Sequence, residues 1–524
     1  MKTPEYHQHE EFRNRLTKLT DIRSLGIDPY PAKFTPESTA RKLLAQYEIQ
    51  SLGTSDQAEA GSTQKTSLAG RVVLFRAMGK NAFLHIQDST GRIQLMINRD
   101  HTKVSDFTPT EALSTIKFIE KKIDLGDIIG VEGHLFRTQK GELTLYVKEL
   151  TILCKSLLPL PDKHSGLADK EMRYRKRWLD LISAPEVAET FRLRSKIFHL
   201  VRNYFVDADY IEVETPILQN IYGGAQAAPF TTTLNALHQQ MYLRIALEIS
   251  LKKLIIGGMD RVFEISKVFR NEGIDRTHNP EFTMLEAYAS YWDYNDMMVF
   301  VENLFDKIAR ELFGKTEITV PLDGQDVLVD LKAPWQRLTM KDAIMRYGFL
   351  DVDTKNDEEL RSILRAQEGL DPKEILKMPR GLLIAKLFEE LAESHLIQPH
   401  HIIDHPIETT PLCKLHRQPK ERAEGLVERF ESFILGREMC NAYTELNDPE
   451  LQRALLVAQA EAKLAGDAEA NPLDEDFSEA ICQGMPPTGG VGIGMDRLVM
   501  LFTGALSIRD VLYFPIMRPE EQQL

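Results

Sequence analysis

Between Arg261 and Tyr288 the chain reads RVFEISKVFRNEGIDRTHNPEFTMLEAY. Two apolar-rich runs flank a charged, glycine-containing segment, a pattern that predicts two strands of a hairpin joined by a charged loop. Side chains alternate along a strand, so Arg270 and Glu272 are expected on one face and Phe282, Glu286 and Tyr288 on another. Burying Arg and Glu on a sheet face is costly unless that face lines a site. The hairpin is therefore expected to carry the chemistry, and the rest of the chain to supply its partners.

The first partner is GGVGIGMDRL, residues 489–498. Gly490, Gly492 and Gly494 let a backbone approach a ligand closely, and Arg497 falls in the first turn of the helix expected to follow. The spacing matches neither a dinucleotide-binding nor a P-loop glycine pattern. Arg497 is expected to sandwich a base against Phe282. The second partner is GREMCNAYTELN, residues 436–447, in which Asn441, Tyr443 and Glu445 alternate onto one face. Glu431 and Glu438 lie just upstream and together supply carboxylate oxygens suited to Mg²⁺ against a polyphosphate, although either taken alone is more often structural than functional. Arg270 offers a planar fork to a phosphate or carboxylate, Glu272 accepts from an amine, and His278 suits a phosphate tail.

Working outward, the 524 residues are long enough for two to four domains. Cys154, Cys413, Cys440 and Cys482 form no CxxC or Cys/His cluster, which argues against a disulfide framework or structural zinc. The N-terminus lacks the apolar core of a signal peptide, and no run is long enough to span a bilayer, so a cytoplasmic protein is expected. Net charge is −14, which by itself argues against nucleic-acid binding. The window 65–155 reverses that sign, with 14 Lys/Arg against 10 Asp/Glu.

That window also contains five strand-like runs separated by turn residues, which predicts a small closed OB-type barrel meeting a phosphate backbone. Phe83 and Gln94 fall on adjacent strands with Arg76 nearby, an arrangement suited to stacking and edge-reading of unpaired bases. A lone Phe on a strand is more often a core residue, so the pair is not decisive by itself. Ahead of the barrel, Phe12, Leu16, Leu19 and Ile22 repeat at helical spacing, which suits a helix packed on the next domain better than one touching RNA. Residues 51–66 read as a linker. RYRKRW (173–178) is either a solvated helix face or an RNA contact. The helix from Pro185 with Val187, Phe191, Phe198, Val201 and Phe205 on one side, followed by a strand stopped at Pro216, is either a dimer-interface unit or a core element. Residues 423–448 read as a helix or edge strand and a further strand.

These motifs carry a resemblance. The helix and strand ending at Pro216, FRNE…HNPEF (269–282) and GVGIGMDR (490–497) resemble, in order, motifs 1, 2 and 3 of the class II aminoacyl-tRNA synthetases. The barrel is similar to the anticodon-binding domain of subclass IIb. LPDKHSGLADKEMRYRKRWLDLI (160–182), GGAQAAPF (223–230) and LRIALEISLKKLIIGG (243–258) resemble the lysyl-tRNA synthetases of the bacterial kind. The resemblance covers nearly the whole chain.

It implies an α+β multidomain protein: an N-terminal OB-fold β-barrel followed by a class II catalytic domain built on an antiparallel β-sheet flanked by helices. The implied division is 1–65 N-terminal helix and linker, 66–155 anticodon-binding barrel, 156–180 hinge, and 181–524 catalytic domain with a helical insertion at about 335–415. The implied reaction is ATP-dependent activation of L-lysine as lysyl-adenylate and its transfer to the 3′ end of tRNA(Lys), with Mg²⁺ and a second copy of the chain as partners. Glu445 and Tyr288 would hold the ε-ammonium, with Glu286 and Tyr443 lining the same pocket. Glu248 and the Gly224 carbonyl would hold the α-ammonium, and Arg270 and Asn441 the carboxylate. ATP would lie over Arg270, Glu272, His278, Asn279, Phe282, Glu438, Gly494 and Arg497, with Mg²⁺ on Glu431 and Glu438. Arg270, Glu272 and Arg497 would be the catalytic groups. Phe83 and Gln94 would read the central anticodon base beside Arg76, and Glu142 a flanking base.

One departure stands out. Thr277 occupies the place where many class II sequences have arginine, which leaves the γ-phosphate partner unassigned. Two rival readings are a ligase of the same fold that lysylates a protein, whose shortened representatives lack the barrel, and a non-catalytic RNA-binding protein, which would be expected to have lost Arg270, Glu438 or Arg497.

Overall fold

A computed structural model of the chain describes residues 4–48, 52–161, 167, 169–367, 369–466 and 470–519. It contains two compact units, Met1–Pro185 and Glu186–Leu524.

In the first unit, strands β1 (Lys65–Met78), β2 (Asn81–Gln87), β3 (Arg92–Asn98), β4 (Lys103–Val104), β5 (Ile128–Arg137) and β6 (Leu143–Cys154) run in the order β3-β2-β1-β5-β6-β4. A parallel β3–β6 pairing closes them into a barrel. Alternating apolar residues such as Leu84, Ile86, Leu95, Val131 and Leu145 fill its interior, as period-two patterning requires. The helix Glu10–Ser24 buries Phe12, Leu19 and Ile22 while Leu16 stays exposed. Arg15 donates to the carbonyls of Leu125 and Leu158, so this helix is part of the unit.

One expectation is corrected here. Within 51–66, residues Ser55–Glu59 form a capped helix rather than a loose linker, because Thr54 and Gln57 complete a reciprocal capping box. The helix expected after the hinge is found as two short ones, Lys170–Arg175 and Arg177–Ser183, with Arg177 buried on Asp180 at 2.7 Å. The rest of that hinge reading, at 162–166 and 168, lies outside the described residues.

The second unit adds β7 (Ile211–Glu212), β8 (Leu218–Gln219), β9 (Thr231–Leu234), β10 (Gln239–Leu243), β11 (Arg261–Phe269), β12 (Glu281–Ser290), β13 (Glu317–Leu322), β14 (Gln325–Asp330), β15 (Gln336–Thr339), β16 (His400–Pro406), β17 (Leu426–Ile434), β18 (Arg437–Thr444) and β19 (Thr488–Gly494). Eight of them form one sheet, ordered β15-β16-β17-β18-β19-β12-β11-β7 and antiparallel except at its two edges. The opening hairpin is β11–β12, paired from Arg261–Ala289 to Phe269–Glu281. The helix Tyr294–Phe313 buries Met297, Val301, Leu304, Phe305 and Ile308 against one face of this sheet, where Val491 and Ile493 also point. The other face is left for the site.

The stretch expected to offer a helix or edge strand resolves as two strands, β17 and β18, both inside the sheet. The insertion expected to be helical begins and ends in sheet strands, β15 and β16, and the helices between them close their own core around Ile344, Leu360, Leu387 and Phe388.

Lys155, whose side chain is fully buried, is held in the barrel unit by Asp124 at 2.6 Å and Asp127 at 2.9 Å. Asp127 also accepts from the backbone N–H of Asp124 and Ser156. Replacing Asp127 by Ala leaves the buried ammonium with Asp124 alone and strands two backbone donors, a loss expected to cost about 3 kcal/mol. Hydrogen exchange on the intact chain should read this as lost protection across the barrel strands.

Candidate active site

The site is built by the middle of the large sheet. β19 lies between β12 and β18, so Gly490 sits between Tyr288 and Tyr443, Gly492 between Glu286 and Asn441, and Gly494 beside Met284. Because these glycines carry no side chain, the flanking strands' large groups overhang a cavity of about 370 Å³. A Cβ at Gly490 would overlap Glu445 Oε1 and the Tyr288 ring, and one at Gly492 would meet the Met284 methyl at 2.8 Å.

The cavity brings together every pocket residue singled out in the sequence: Gly224, Glu248, Arg270, Glu272, His278, Asn279, Phe282, Glu286, Tyr288, Glu431, Glu438, Asn441, Tyr443, Glu445, Gly494 and Arg497. The expected division of faces is corrected, however. β11 ends at Phe269, and Arg270 continues the pairing with its N–H donating to the Pro280 carbonyl at 2.9 Å. Opposed residues in an antiparallel ladder share a side, which puts Arg270 on the same side as Phe282, Glu286 and Tyr288. Arg270 lies over the Phe282 ring at 5.3 Å, while Arg497 donates to the carbonyl and carboxylate of Glu438 at 2.9 and 3.1 Å. His278 is held by Asp275 at 2.8 Å, and the Asn279 side chain donates to the Glu281 carbonyl while its own oxygen is buried without a partner.

The opposite end of the cavity is acidic. Glu286 accepts from the Leu247 N–H at 2.8 Å and the Tyr288 hydroxyl at 2.9 Å. Glu248 accepts from the Tyr443 hydroxyl at 2.7 Å. Glu445 Oε1 is buried and accepts no hydrogen bond. Desolvation pushes the Glu286 carboxyl up to about 7, with the charge of Glu248 adding and Tyr288, the Leu247 N–H and Arg270 opposing. Behind this wall lies a residue sequence reasoning missed: Lys252, fully buried, ion-paired to both Glu248 and Glu445.

Two further positioning groups were missed. Arg429 donates to Asn441 at 3.0 Å and to Glu431 at 2.5 Å, fixing both. Its signal was its place two residues before Glu431, on the same face of β17. Asp496 accepts from the Thr283 N–H at 2.7 Å and pairs with Arg194 at 2.6 Å, which anchors the turn that presents Arg497.

The pair Glu431 and Glu438 fits a hard divalent cation in donor chemistry. Desolvation lifts the Glu431 carboxyl to about 7 despite Arg429, with Glu438 adding, so a cation would be favoured there. Among the described residues no group of three or more His, Cys, Asp or Glu is arranged to hold a metal, so ligand oxygens would have to complete its shell.

On the barrel, Arg76 pairs across from Phe83, and Phe83 from Met96. Phe83 is half-buried against Met96, Phe136 and Tyr146. Gln94 donates to Glu142 at 2.8 Å and accepts from Thr144 at 2.8 Å, while His85 bonds the other Glu142 oxygen at 2.9 Å. The four expected barrel residues thus share one outer face, and His85 joins them.

A large antiparallel sheet holding an Arg/Phe end and a carboxylate end in one cavity, in a chain that also carries an OB barrel, defines a class II synthetase. The family model of class II tRNA synthetases (D, K and N) matches residues 169–518, and that of the OB-fold nucleic acid binding domain matches 66–153. The chain belongs to the class II tRNA synthetases of this D, K and N group. Among its relatives, the lysine–tRNA ligase of Chlamydia felis (strain Fe/C-56) is 57% identical over 522 residues, covering 99% of both chains. That of Chlamydia caviae is 56% identical over the full length of both, and that of Nostoc punctiforme 45% identical over 97% of this chain and 87% of its own.

The raised Glu286 carboxyl sets a pH dependence. Its folded value, about 7, lies above that of an unfolded glutamate, about 4.3. Between those values the folded chain binds the proton and the unfolded chain does not, so stability falls as pH rises through the window. Thermal unfolding of the ligand-free protein should lose stability from about pH 5 to about pH 8, and Glu286→Gln should flatten that slope by a few kcal/mol. A slope unchanged by the substitution would refute the assignment.

Proposed function

We propose that this chain is an ATP-dependent ligase that joins L-lysine to the 3′ end of tRNA(Lys), acting as a cytoplasmic homodimer. The observation that carries this reading is the acidic end of the cavity, with Glu248, Glu286 and Glu445 buried together and Glu445 Oε1 lacking a partner. A cationic side chain satisfies such a site. An anionic or neutral amino acid would leave buried charge unpaired. The names of the three relatives above support the same substrate.

In this reading Glu445 and Tyr288 hold the ε-ammonium, Glu248 and the Gly224 carbonyl the α-ammonium, and Arg270 with Asn441 the carboxylate. ATP lies toward Phe282, Glu272, His278, Asn279, Gly494 and Arg497. The lysine carboxylate, ionised at neutral pH, attacks the α-phosphorus, and the bond to the β-phosphate oxygen breaks to release pyrophosphate. No general base is required. Arg270 stabilises charge developing at the α-phosphate, and Arg497 fixes the nucleotide. Glu431 and Glu438 would hold Mg²⁺, which supplies charge neutralisation on the polyphosphate. A terminal ribose hydroxyl of tRNA then attacks the adenylate carbonyl and AMP leaves.

The barrel's Arg76, Phe83, Gln94 and Glu142 take the anticodon, with the chain divided functionally at about 65, 155 and 180. Exposed apolar residues concentrated between Val206 and Leu237, including Ile211, Ile217, Leu218, Ile221 and Leu234, support a second copy of the chain as their cover. Among the described residues, no helix is long and apolar enough to cross a membrane.

The test is amino-acid-dependent exchange of labelled pyrophosphate into ATP across the twenty amino acids. Lysine should support exchange, whereas exchange with aspartate or asparagine and none with lysine would sink the proposal. Arg270→Ala should reduce exchange by roughly 10³-fold or more. Phe83→Ala should leave exchange intact and weaken tRNA charging, and a folded Phe83→Ala protein that no longer exchanges would overturn the division of labour.

A further inference from the structure

Lys252 sits on the helix Glu248–Ile256, one turn after Glu248, with its side chain fully buried. Its ammonium lies 2.5 Å from Glu248 Oε1 and also pairs with Glu445 Oε2. The aromatic rings of Tyr443 and Phe477 flank it at 5.5 and 6.0 Å. Lys252 is not part of the cavity wall, whereas both of its carboxylate partners are. It therefore holds them from behind.

The oxygens are divided accordingly. Glu248 gives one to Lys252 and the other to the Tyr443 hydroxyl. Glu445 gives Oε2 to Lys252 and leaves Oε1 unpartnered beside Gly490 and Tyr288. Glu286, the third carboxylate, is held by the Leu247 N–H and the Tyr288 hydroxyl, neither of which brings charge. Fully ionised, three carboxylates and one ammonium leave two negative charges in a desolvated space. L-Lysine brings two ammonium groups, and its carboxylate has Arg270.

We propose that Lys252 is a positioning residue that matches the pocket to a ligand bearing two ammonium groups, by neutralising one of three buried carboxylates and fixing the reactive faces of Glu248 and Glu445. This rests on the lysine reading above and adds to it how the discrimination is made. Without Lys252 three negative charges face two, and a proton must enter to restore the balance. The titratable and charged groups facing that position are Glu248 on its own helix, Glu445 and Tyr443 from β18 and its extension, Glu286 and Tyr288 from β12, and Cys413 and Arg429 nearby. Burial and the neighbouring carboxylates raise the proton affinity of Glu445, and the two glutamates keep Lys252 charged.

The experiment is lysine-dependent pyrophosphate exchange by the full chain across pH, for wild type, Lys252→Met, Lys252→Gln and Lys252→Arg. Each neutral variant should raise KM for lysine on the order of 100-fold, the scale of losing one partner of a buried charge pair, with KM for ATP within about twofold of wild type. That KM should improve as pH falls, because a proton replaces the missing ammonium, whereas the wild-type KM should not. Lys252→Arg, which keeps the charge, should recover most of the loss. A folded Lys252→Met protein with wild-type KM and pH slope overturns the proposal. So does one in which lysine and ATP KM rise together with no change in pH profile and no recovery in Lys252→Arg.

A second arm needs no variant. In wild type, competitive inhibition by norleucine, which lacks the ε-ammonium, should strengthen as pH falls while lysine binding does not. Equal pH slopes for the two ligands overturn the charge matching even if the neutral variants fail to fold. Absence of lysine-dependent exchange in wild type sinks the lysine reading itself, and this inference with it. Normal wild-type exchange with unchanged Lys252 variants sinks the inference alone.

Discussion

Three carboxylates buried in one cavity set the terms for everything around them. An ionised carboxylate taken out of water is stable only when paired or richly hydrogen-bonded, and like charges in one desolvated space compound the cost. The second unit meets that constraint from several directions: the Leu247 N–H and Tyr288 hydroxyl on Glu286, the Tyr443 hydroxyl on Glu248, and Lys252 behind Glu248 and Glu445. What these groups leave unsatisfied, above all Glu445 Oε1, is the pocket's demand on a ligand. In the lysine reading proposed above, specificity is a deficit of positive charge rather than a shape.

The other end of the cavity is organised in the opposite sense. Arginines there are already engaged by the protein, with Arg497 on Glu438, Arg429 on Glu431 and Asn441, and Arg270 over Phe282. The guanidinium groups are thus held in place on rigid strands and a helix start, with their partners being the same carboxylates that suit a divalent cation. Ordering them in advance lowers the reorganisation needed when phosphate charge develops. Asp496 extends this order outward, since it ties β12 to the helix that carries Arg497 and to Arg194 on the long helix Pro185–Asp207.

The barrel, the hairpin, the glycine strand and most of the pocket residues were legible because each depends on local pattern: period-two alternation, turn residues, or glycines without side chains. What escaped depends on contacts between distant segments. Arg270 was assigned to the wrong face because the end of β11 at Phe269 and its opposition to Pro280 are fixed by the partner strand. The helix Ser55–Glu59 lay hidden in a Ser/Gly-rich stretch whose composition suits a loop, and it is held by a capping box and by packing of Ala58 on the barrel. Lys252 was invisible for a subtler reason. A Glu and a Lys four apart on a helix ordinarily mark a solvated face, and here the pair is buried only because Glu445 arrives from a strand nearly two hundred residues later.

The glycine strand also bears on how this chain avoids folding wrongly. β19 offers the core face two branched side chains, Val491 and Ile493, both buried there. A slip of one residue along β12 and β18 would turn those branched side chains into the cavity and present bare backbone to the core. The misregistered sheet would lose its packing and fill its own pocket in the same step. The emptiness that admits a substrate therefore also acts as a proofreading device for strand register, and a copy of this protein that folds stably has, by that fact, kept its pocket open.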